Sequence, residues 1–253
     1  MRLPFRIALA AAAWLALGAA APAQSITAEQ RGEFEKIIRE YLLKNPEVLQ
    51  EAIAELEKRQ AIAEVAKHQA AVKQHSAALF DSPRHVVVGN PKGDVTFVEF
   101  FDYNCGYCKR AMDDMLVLMK ADPNLKVVLK EFPVLGEGSR EAAKVGVAVR
   151  MQDKTGKKYL EFHQKLMGSR GQIDKARAVA AAREVGMDVA RIERDINSDE
   201  VRLSLEESFK LAEALGLNGT PSYVIGSEVA IGAVGQAALK EKINIARCGK
   251  ATC

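Results

Sequence analysis

Residues 95–108 read Val95-Thr96-Phe97-Val98-Glu99-Phe100-Phe101-Asp102-Tyr103-Asn104-Cys105-Gly106-Tyr107-Cys108. The first seven residues are mostly β-branched or aromatic and predict a strand, and the pattern after Cys105 is typical of a helix. Cys105 is therefore expected at a helix N-terminus, where free N–H groups and the helix dipole stabilise a thiolate. Such a site lowers a cysteine pKa from about 8.5 to roughly 3.5–7.5. Cys108 lies one turn further on, so the pair is suited to thiol–disulfide exchange.

The alternation of this strand predicts that Glu99 points into the protein. Glu99 shares one strand face with Val95, Phe97 and Phe101, all of which are apolar. A carboxylate there is costly unless it is paired or protonated, and burial raises its pKa towards neutrality. The alternative is an edge strand on which Glu99 faces water.

The first residues of the chain predict export. Arg2 and Arg6 precede an apolar run at 7–21, which is too short for a comfortable membrane span. Ala21-Pro22-Ala23 fits the small-x-small cleavage rule, so residues 1–23 are interpreted as a signal peptide and the protein is expected in the periplasm. An uncleaved anchor is the alternative.

The charge of the chain argues against a nucleic-acid partner. The formal net charge is +3, and it falls to about +1 when Arg2 and Arg6 leave with the signal peptide. No basic patch interleaved with aromatic residues is present. The remaining chain has the length of one domain of ordinary size plus an appendage.

Residues 24–79 are rich in Ala, Glu, Lys and Gln and predict two helices. Thr27 and Gln30 match a capping box, and Asn45-Pro46 is typical of a break followed by a new helix. The apolar positions form narrow stripes, at Phe34, Ile37, Ile38, Tyr41, Leu42, Val48, Leu49, Ile53 and Leu56. So narrow a seam on long helices predicts self-association. The alternative is packing against the rest of the same chain.

Residues 80–253 follow an α/β pattern. Strands are predicted at 86–88, 95–101, 125–132, 222–225 and 228–231, and a helical insertion at about 138–216. A helix starts at Cys105, and a last helix is expected at 236–246. The predicted fold class is α/β.

Two motifs make the chain recognisable. Residues 99–109, followed far downstream by Gly219-Thr220-Pro221-Ser222-Tyr223-Val224, resemble the DsbA-like branch of the thioredoxin superfamily over roughly 84–247. The segment at 41–49 resembles the N-terminal region of ScsC-type periplasmic proteins. Together these resemblances imply a thioredoxin fold with an inserted helical domain, preceded by an N-terminal helical oligomerisation segment.

The resemblance also implies roles for single residues. Cys105 matches the nucleophile, Cys108 the resolving thiol, and Glu99 the buried acid that accepts the proton of the resolving thiol. Thr220 and Pro221 match the substrate-binding loop, which carries a cis proline in this superfamily.

Three further residues are expected to modulate the redox properties. Gly106 and Tyr107 replace the Pro-His dipeptide of dedicated oxidases, and without the histidine charge the disulfide is expected to be less oxidising. Lys109 lies one turn after Cys105 and is a candidate for stabilising its thiolate; an ordinary solvated lysine is the alternative.

The other two cysteines, Cys248 and Cys253, favour a structural disulfide in an exported protein. A second redox pair or a zinc site shared with Cys105 and Cys108 are the alternatives. The methionines at 112, 115 and 119 are interpreted as a core face rather than copper ligands. No metal or cofactor is expected.

These features predict an exported thiol:disulfide oxidoreductase with isomerase or reductase bias. The alternatives are a DsbA-type dithiol oxidase and a non-enzymatic envelope or metal-binding protein. Expected partners are exported proteins with cysteines, a membrane redox partner of DsbD/ScsB or DsbB type, and further copies of the chain, with a trimer favoured.

Overall fold

The protein is described by a computed structural model that covers residues 27–253. The predicted signal peptide at 1–23 lies outside the described residues. The chain divides into two compact units, Met1–Glu57 and Lys58–Cys253, which are described separately below. Among the described residues no helix combines the length and apolar character needed to cross a bilayer.

The first unit contains helix α1 (Ala28–Lys44) and the beginning of α2 (Glu47–Gln74). The predicted capping box is present: Thr27 Oγ1 accepts from Gln30 N at 3.2 Å, and Gln30 Oε1 accepts from Thr27 N at 3.0 Å. No residue of α1 is buried. Large apolar side chains are exposed on both helices, at Phe34, Ile37, Ile38, Tyr41, Leu43, Leu49, Ile53 and Leu56. The unit therefore presents an uncovered apolar surface.

The second unit alternates strands and helices after the end of α2. Its elements are α3 (Ser76–Phe80), β1 (Val86–Gly89), β2 (Val95–Phe101), α4 (Gly106–Ala121), β3 (Leu125–Glu131), α5 (Glu137–Gln152), α6 (Lys157–Met167), α7 (Lys175–Glu184), α8 (Val189–Asp195), α9 (Asp199–Ala214), β4 (Ser222–Ile225), β5 (Glu228–Ile231) and α10 (Gln236–Cys248). Helices α5 to α9 occupy the stretch where a helical insertion was expected.

The five strands form one sheet in the order β1-β3-β2-β4-β5. Strands β2 and β3 are parallel, with Glu99 opposite Leu129 and Phe101 opposite Glu131, and the other neighbouring pairs are antiparallel. The carboxyl ends of β2 and β3 therefore lie side by side at the same end of the sheet. The loop that carries Cys105 begins at this end of β2.

Both faces of the sheet are covered by helices. Phe97 and Phe101 point into a core shared with α4, α10 and helices α5 to α8. Val98 and Phe100 point to the opposite face, which packs against α3 and α9. Alternation along the strand produces this division.

The core of the second unit includes side chains from residues before position 80. Val72 of α2 and Leu79 of α3 are buried against the second face of the sheet, at 4% and 0% exposure. These two side chains belong to the core around Phe100. The compact unit therefore begins inside α2, at Lys58.

Candidate active site

Cys105 is the N-cap residue of α4, with its backbone in the extended region. Its Sγ accepts a hydrogen bond from the backbone N–H of Cys108 at 3.4 Å. In its protonated form the thiol donates to the carbonyl oxygen of Thr220 at 3.2 Å. The bond between Thr220 and Pro221 is cis. The loop between β2 and α4 and the loop that precedes β4 are thus in contact at the Cys105 sulfur.

The protein shifts the pKa values of the two thiols in opposite directions. The pKa of Cys105 is lowered to about 5, first by a hydrogen bond from the Cys108 side chain and then by the Thr220 side chain and backbone N–H groups, which together outweigh burial. The pKa of Cys108 is raised far above its ordinary value, mainly by burial. Cys105 is therefore a thiolate at neutral pH, whereas Cys108 stays protonated.

Glu99 lies in the interior, as strand alternation predicts, and is 2% exposed. Its Oε2 has no hydrogen-bond partner among the described residues. Burial raises the pKa of Glu99 to about 8, with further contributions from the charges of Cys105 and Asp114. The charge of Glu99 in turn helps to raise the pKa of Cys108. A buried acid that titrates near neutrality is thus coupled to both thiols.

The candidate redox-modulating residues lie on the first turns of α4. Lys109 donates from Nζ to the carbonyl oxygen of Ser169 at 2.6 Å; the hydrogen bonds that lower the pKa of Cys105 come from other groups. Tyr107 is 59% exposed, and the guanidinium carbon of Arg110 lies 4.5 Å from its ring centroid. A side chain at Gly106 would meet no atom within 4 Å. Their effect on the redox potential stays a prediction.

Two polar residues that sequence reasoning did not single out hold the Cys105 loop in place. The Asp102 carboxylate accepts from the backbone N–H groups of Asn104, Val134 and Leu135 and from the Ser139 hydroxyl, at 2.7–2.9 Å. The Asp102 side chain is 1% exposed. Asp102 therefore ties the loop after β3 and the start of α5 to the residues before Cys105.

Asn104 connects the Cys105 loop to a second segment of the chain. Its side-chain amide donates to the carbonyl oxygen of Ile173 at 2.8 Å, and its Oδ1 accepts from Ile173 N at 2.7 Å. Ile173 lies between α6 and α7, in the helical insertion. The insertion is thus fastened directly to the residue before the nucleophile.

A second buried acid, Glu131, was also missed. Its Oε1 accepts from the hydroxyls of Tyr103 and Tyr159 at 3.0 and 2.7 Å, and burial raises its pKa to about 8. The same alternation that predicts burial of Glu99 applies to Glu131, because it follows Leu125, Val127 and Leu129 on one face of β3.

Glycine at position 146 makes room for this cluster. A Cβ at Gly146 of α5 would collide with Glu131 Oε1 and lie 3.1 Å from the Tyr103 hydroxyl. The close approach of α5 to β3 therefore requires glycine here.

The remaining expectations concern the C-terminus and metals. Cys248 and Cys253 are joined by a disulfide, whereas Cys105 and Cys108 are free thiols. Met112 and Met115 are buried in the core. Within residues 27–253 no three His, Cys, Asp or Glu side chains are grouped so that they could hold a metal ion.

Two family profiles match this chain. The profile of the DSBA-like thioredoxin domain matches residues 96–244, and that of the copper resistance protein ScsC N-terminal domain matches residues 30–63. The chain belongs to the DsbA-like thioredoxin domain family and carries an ScsC-type N-terminal domain. The resemblance and the fold class expected from the sequence are confirmed.

The chain is also similar to several solved structures and to part of one group of curated proteins. The chain is 45% identical to a thioredoxin-like oxidoreductase from Silicibacter pomeroyi DSS-3, over 68% of this chain and 96% of that chain, with a TM-score of 0.64. It is 28% identical to Proteus mirabilis ScsC in a transitional conformation, over 89% and 98%, with a TM-score of 0.64. It is 23% identical over 155 residues, 58% of this chain, to the Na(+)/H(+) antiporter NhaA 1 of Mycobacterium sp. (strain KMS), and it spans only 24% of that protein's length.

Proposed function

We propose that this protein is an exported thiol–disulfide oxidoreductase that acts on protein disulfides, with isomerase or reductase bias. The observation that carries the proposal is the position of Cys105 at the N-cap of α4, where its Sγ accepts from the backbone N–H of Cys108 at 3.4 Å, next to a fully buried Cys108 thiol. This arrangement agrees with the lowered pKa of Cys105 and the raised pKa of Cys108. The Cys105 thiolate is a nucleophile at neutral pH, and the Cys108 thiol reacts only after the mixed disulfide has formed.

The reaction begins when the Cys105 thiolate attacks one sulfur of a substrate disulfide. The substrate S–S bond breaks, the other substrate sulfur leaves as a thiolate, and Cys105 forms a mixed disulfide with the substrate. Thr220 contacts Cys105 Sγ and presents backbone groups that can pair with an extended peptide. Recognition of backbone rather than sequence suits an enzyme with many substrates.

Resolution needs a base for the buried Cys108 thiol, and Glu99 is proposed to serve as that base. Formation of the mixed disulfide removes the negative charge of Cys105, which is one cause of the raised pKa of Glu99, so more of Glu99 becomes ionised. Glu99 then accepts the Cys108 proton, and the Cys108 sulfur attacks Cys105 Sγ. The substrate leaves as a thiolate, and the protein, having lost two electrons, holds a Cys105–Cys108 disulfide.

Isomerisation follows a different second step. Another substrate thiolate attacks the mixed disulfide, so the substrate acquires a new disulfide and Cys105 is released as a thiolate. Two features favour this outcome. Gly106-Tyr107 places no histidine charge beside the thiolate, and the exposed apolar helices of the first unit favour self-association. The similarity of residues 30–63 to the ScsC N-terminal domain supports a trimer. Several active sites in one assembly raise the effective concentration of a second thiol.

The expected substrates are exported proteins with cysteines, and the expected redox partner is a membrane protein of DsbD/ScsB type. The alternative is a DsbA-type dithiol oxidase that is reoxidised by a DsbB-type protein. Location in the periplasm follows from the signal sequence predicted at 1–23.

The deciding experiment compares the full mature protein, from residue 24, with a form that begins at Lys58. Cutting at 57/58 rather than 79/80 keeps Val72 and Leu79 in the core. Both forms should reduce insulin, and Cys105→Ser should abolish this activity in each. Only the oligomeric full form should reactivate scrambled ribonuclease. If light scattering finds the full form monomeric, or both forms reactivate ribonuclease equally, the oxidase alternative replaces this one.

A further inference from the structure

Four cationic side chains lie on α4 just after the two active-site cysteines and on the segment at 168–177, which Lys109 contacts. Lys109 and Arg110 lie on the first two turns of α4, directly after Cys108. Arg170 lies in the connection between α6 and α7, and Arg177 on the first turn of α7. The three arginines are exposed, and Lys109 is half-buried.

Hydrogen bonds join these two stretches of chain. Lys109 Nζ donates to Ser169 O at 2.6 Å, and the Arg177 guanidinium donates to the carbonyl oxygen of Arg170. The pKa of Lys109 is lowered by burial and by the charge of Arg177, as expected for like charges packed together. Through Ile173, the same connection is bound to Asn104. The segment that carries Arg170 and Arg177 is therefore bound both to Lys109 and to Asn104, the residue before Cys105.

No salt bridge compensates these four charges within the part of the chain that the structure describes. Lys109 and Arg177 bond to carbonyl oxygens, and Arg110 lies on the face of Tyr107. Of the nearby acids, Asp102 accepts four hydrogen bonds and Asp174 caps α7 by accepting from Arg177 N. Asp113 and Asp114 follow one turn later on α4 and form no salt bridge with these cations in the described part of the chain. The result is a positive rim without salt-bridge partners among the described residues, beside an exposed tyrosine.

We propose that this rim, formed by Lys109, Arg110, Arg170 and Arg177, selects polypeptides that carry acidic side chains next to the reacting cysteine. The inference rests on the proposed thiol–disulfide activity and adds a substrate class to it. Fixed charges of one sign at a cleft raise the local concentration of the opposite charge and speed association. Arg110 stacked on Tyr107 keeps the edge of its guanidinium free for a carboxylate.

The test measures the rate at which the reduced, full mature protein cleaves two disulfide-linked peptide dimers. One peptide has glutamates on both sides of its cysteine, and the other has lysines. The double variant Arg170→Glu/Arg177→Glu is compared with wild type, because the ratio of their rates cancels the intrinsic reactivity of each peptide. Lys92→Glu is the matched control: it makes the same kind of charge reversal in the turn before β2, at the opposite end of that strand. Hydroxyethyl disulfide serves as an uncharged substrate.

At low salt the double variant should cleave the glutamate peptide about tenfold more slowly than wild type and the lysine peptide faster, and both differences should shrink at high salt. Lys92→Glu should change neither rate. Because Arg177 also holds the connection, the single variant Arg170→Glu is measured beside it and should show a smaller change in the same direction.

Two results would overturn the inference. If wild type and Arg170→Glu cleave both peptides with the same rate ratio at low salt, the rim has no role in selection. If Lys92→Glu changes the rates as much as Arg170→Glu does, net charge rather than the rim is responsible. Wild type that fails to cleave hydroxyethyl disulfide overturns the proposed function, and this inference with it.

Discussion

The Cys105 sulfur lies 3.2 Å from the carbonyl oxygen of Thr220, although 115 residues separate them in the chain. The strand–helix junction supplies the nucleophile, and the loop before β4 supplies a hydrogen-bond partner for it from a distant part of the chain. The reactivity of Cys105 therefore depends on both segments.

Removal of the Thr220 hydroxyl should raise the pKa of Cys105. The Thr220 side chain is one of the groups that lower this pKa to about 5, so Thr220→Val should shift the pH midpoint of Cys105 alkylation upwards, and Thr220→Ser should leave it near the wild-type value. The rate of iodoacetamide reaction of the reduced protein against pH is the measurement. A wild-type midpoint near 8.5, the ordinary cysteine value, would contradict the assignment of Cys105 as the nucleophile.

Glu99→Gln should slow resolution of the mixed disulfide more than its formation, because the amide cannot accept the Cys108 proton. In wild type the resolution rate should rise with pH as Glu99 ionises, at or below its pKa of about 8. Asp114→Asn provides a second test, because it removes a charge that raises the pKa of Glu99 and should move this rise to lower pH. The rates of formation and resolution of the mixed disulfide are measured against pH by stopped flow. Identical pH–rate profiles for wild type, Glu99→Gln and Asp114→Asn would rule out Glu99 as the base.

Glu131→Gln should flatten the pH dependence of stability. The pKa of Glu131 is raised from 4.5 to about 8 in the folded protein, so its contribution to stability is fully present below the unfolded value and is lost as pH rises through the folded value. The glutamine variant keeps an oxygen that accepts from both tyrosines and has no charge to bury. Urea unfolding of the two proteins at pH 5 and pH 8.5 should show a smaller loss for the variant. An equal loss in both would mean that Glu131 titrates normally.

Gly146→Ala should destabilise the second unit by about 1–3 kcal/mol, the usual cost of overpacking. Its Cβ would enter the space of Glu131 Oε1 and Tyr103. Gly32→Ala is the control, because a Cβ there meets nothing within 4 Å and alanine favours an exposed helix by about 1 kcal/mol. Chemical denaturation measures both, and a Gly146→Ala variant as stable as wild type would show that α5 can move away from β3.

Much of the fold follows from local patterns in the sequence. Strand β2 and the β4–β5 hairpin lie where their alternation and turn residues predict, and the burial of Glu99 follows from counting along one strand. The cysteine pair fixes the start of α4, because the N-cap position coincides with Cys105.

Other features depend on contacts between distant residues. Asn104 and Ile173 are 69 residues apart, and no local periodicity indicates that they pair. Val72 and Leu79 look like continuations of a helix stripe in the sequence. Only the assembled sheet shows that they cover Phe100. Glu131 could have been found by the alternation argument already applied to Glu99.

The bonds from Asp102 and Asn104 have a consequence for redesign. They attach two connections, at 133–139 and 168–173, to the residues just before the nucleophile: Asp102 holds the first at Val134, Leu135 and Ser139, and Asn104 holds the second at Ile173. The chain between those points can be exchanged or lengthened while the anchors hold the cysteine pair in register. Grafting new segments into these two connections is therefore a route to altered partner choice that leaves the chemistry of the sulfur atoms as it is.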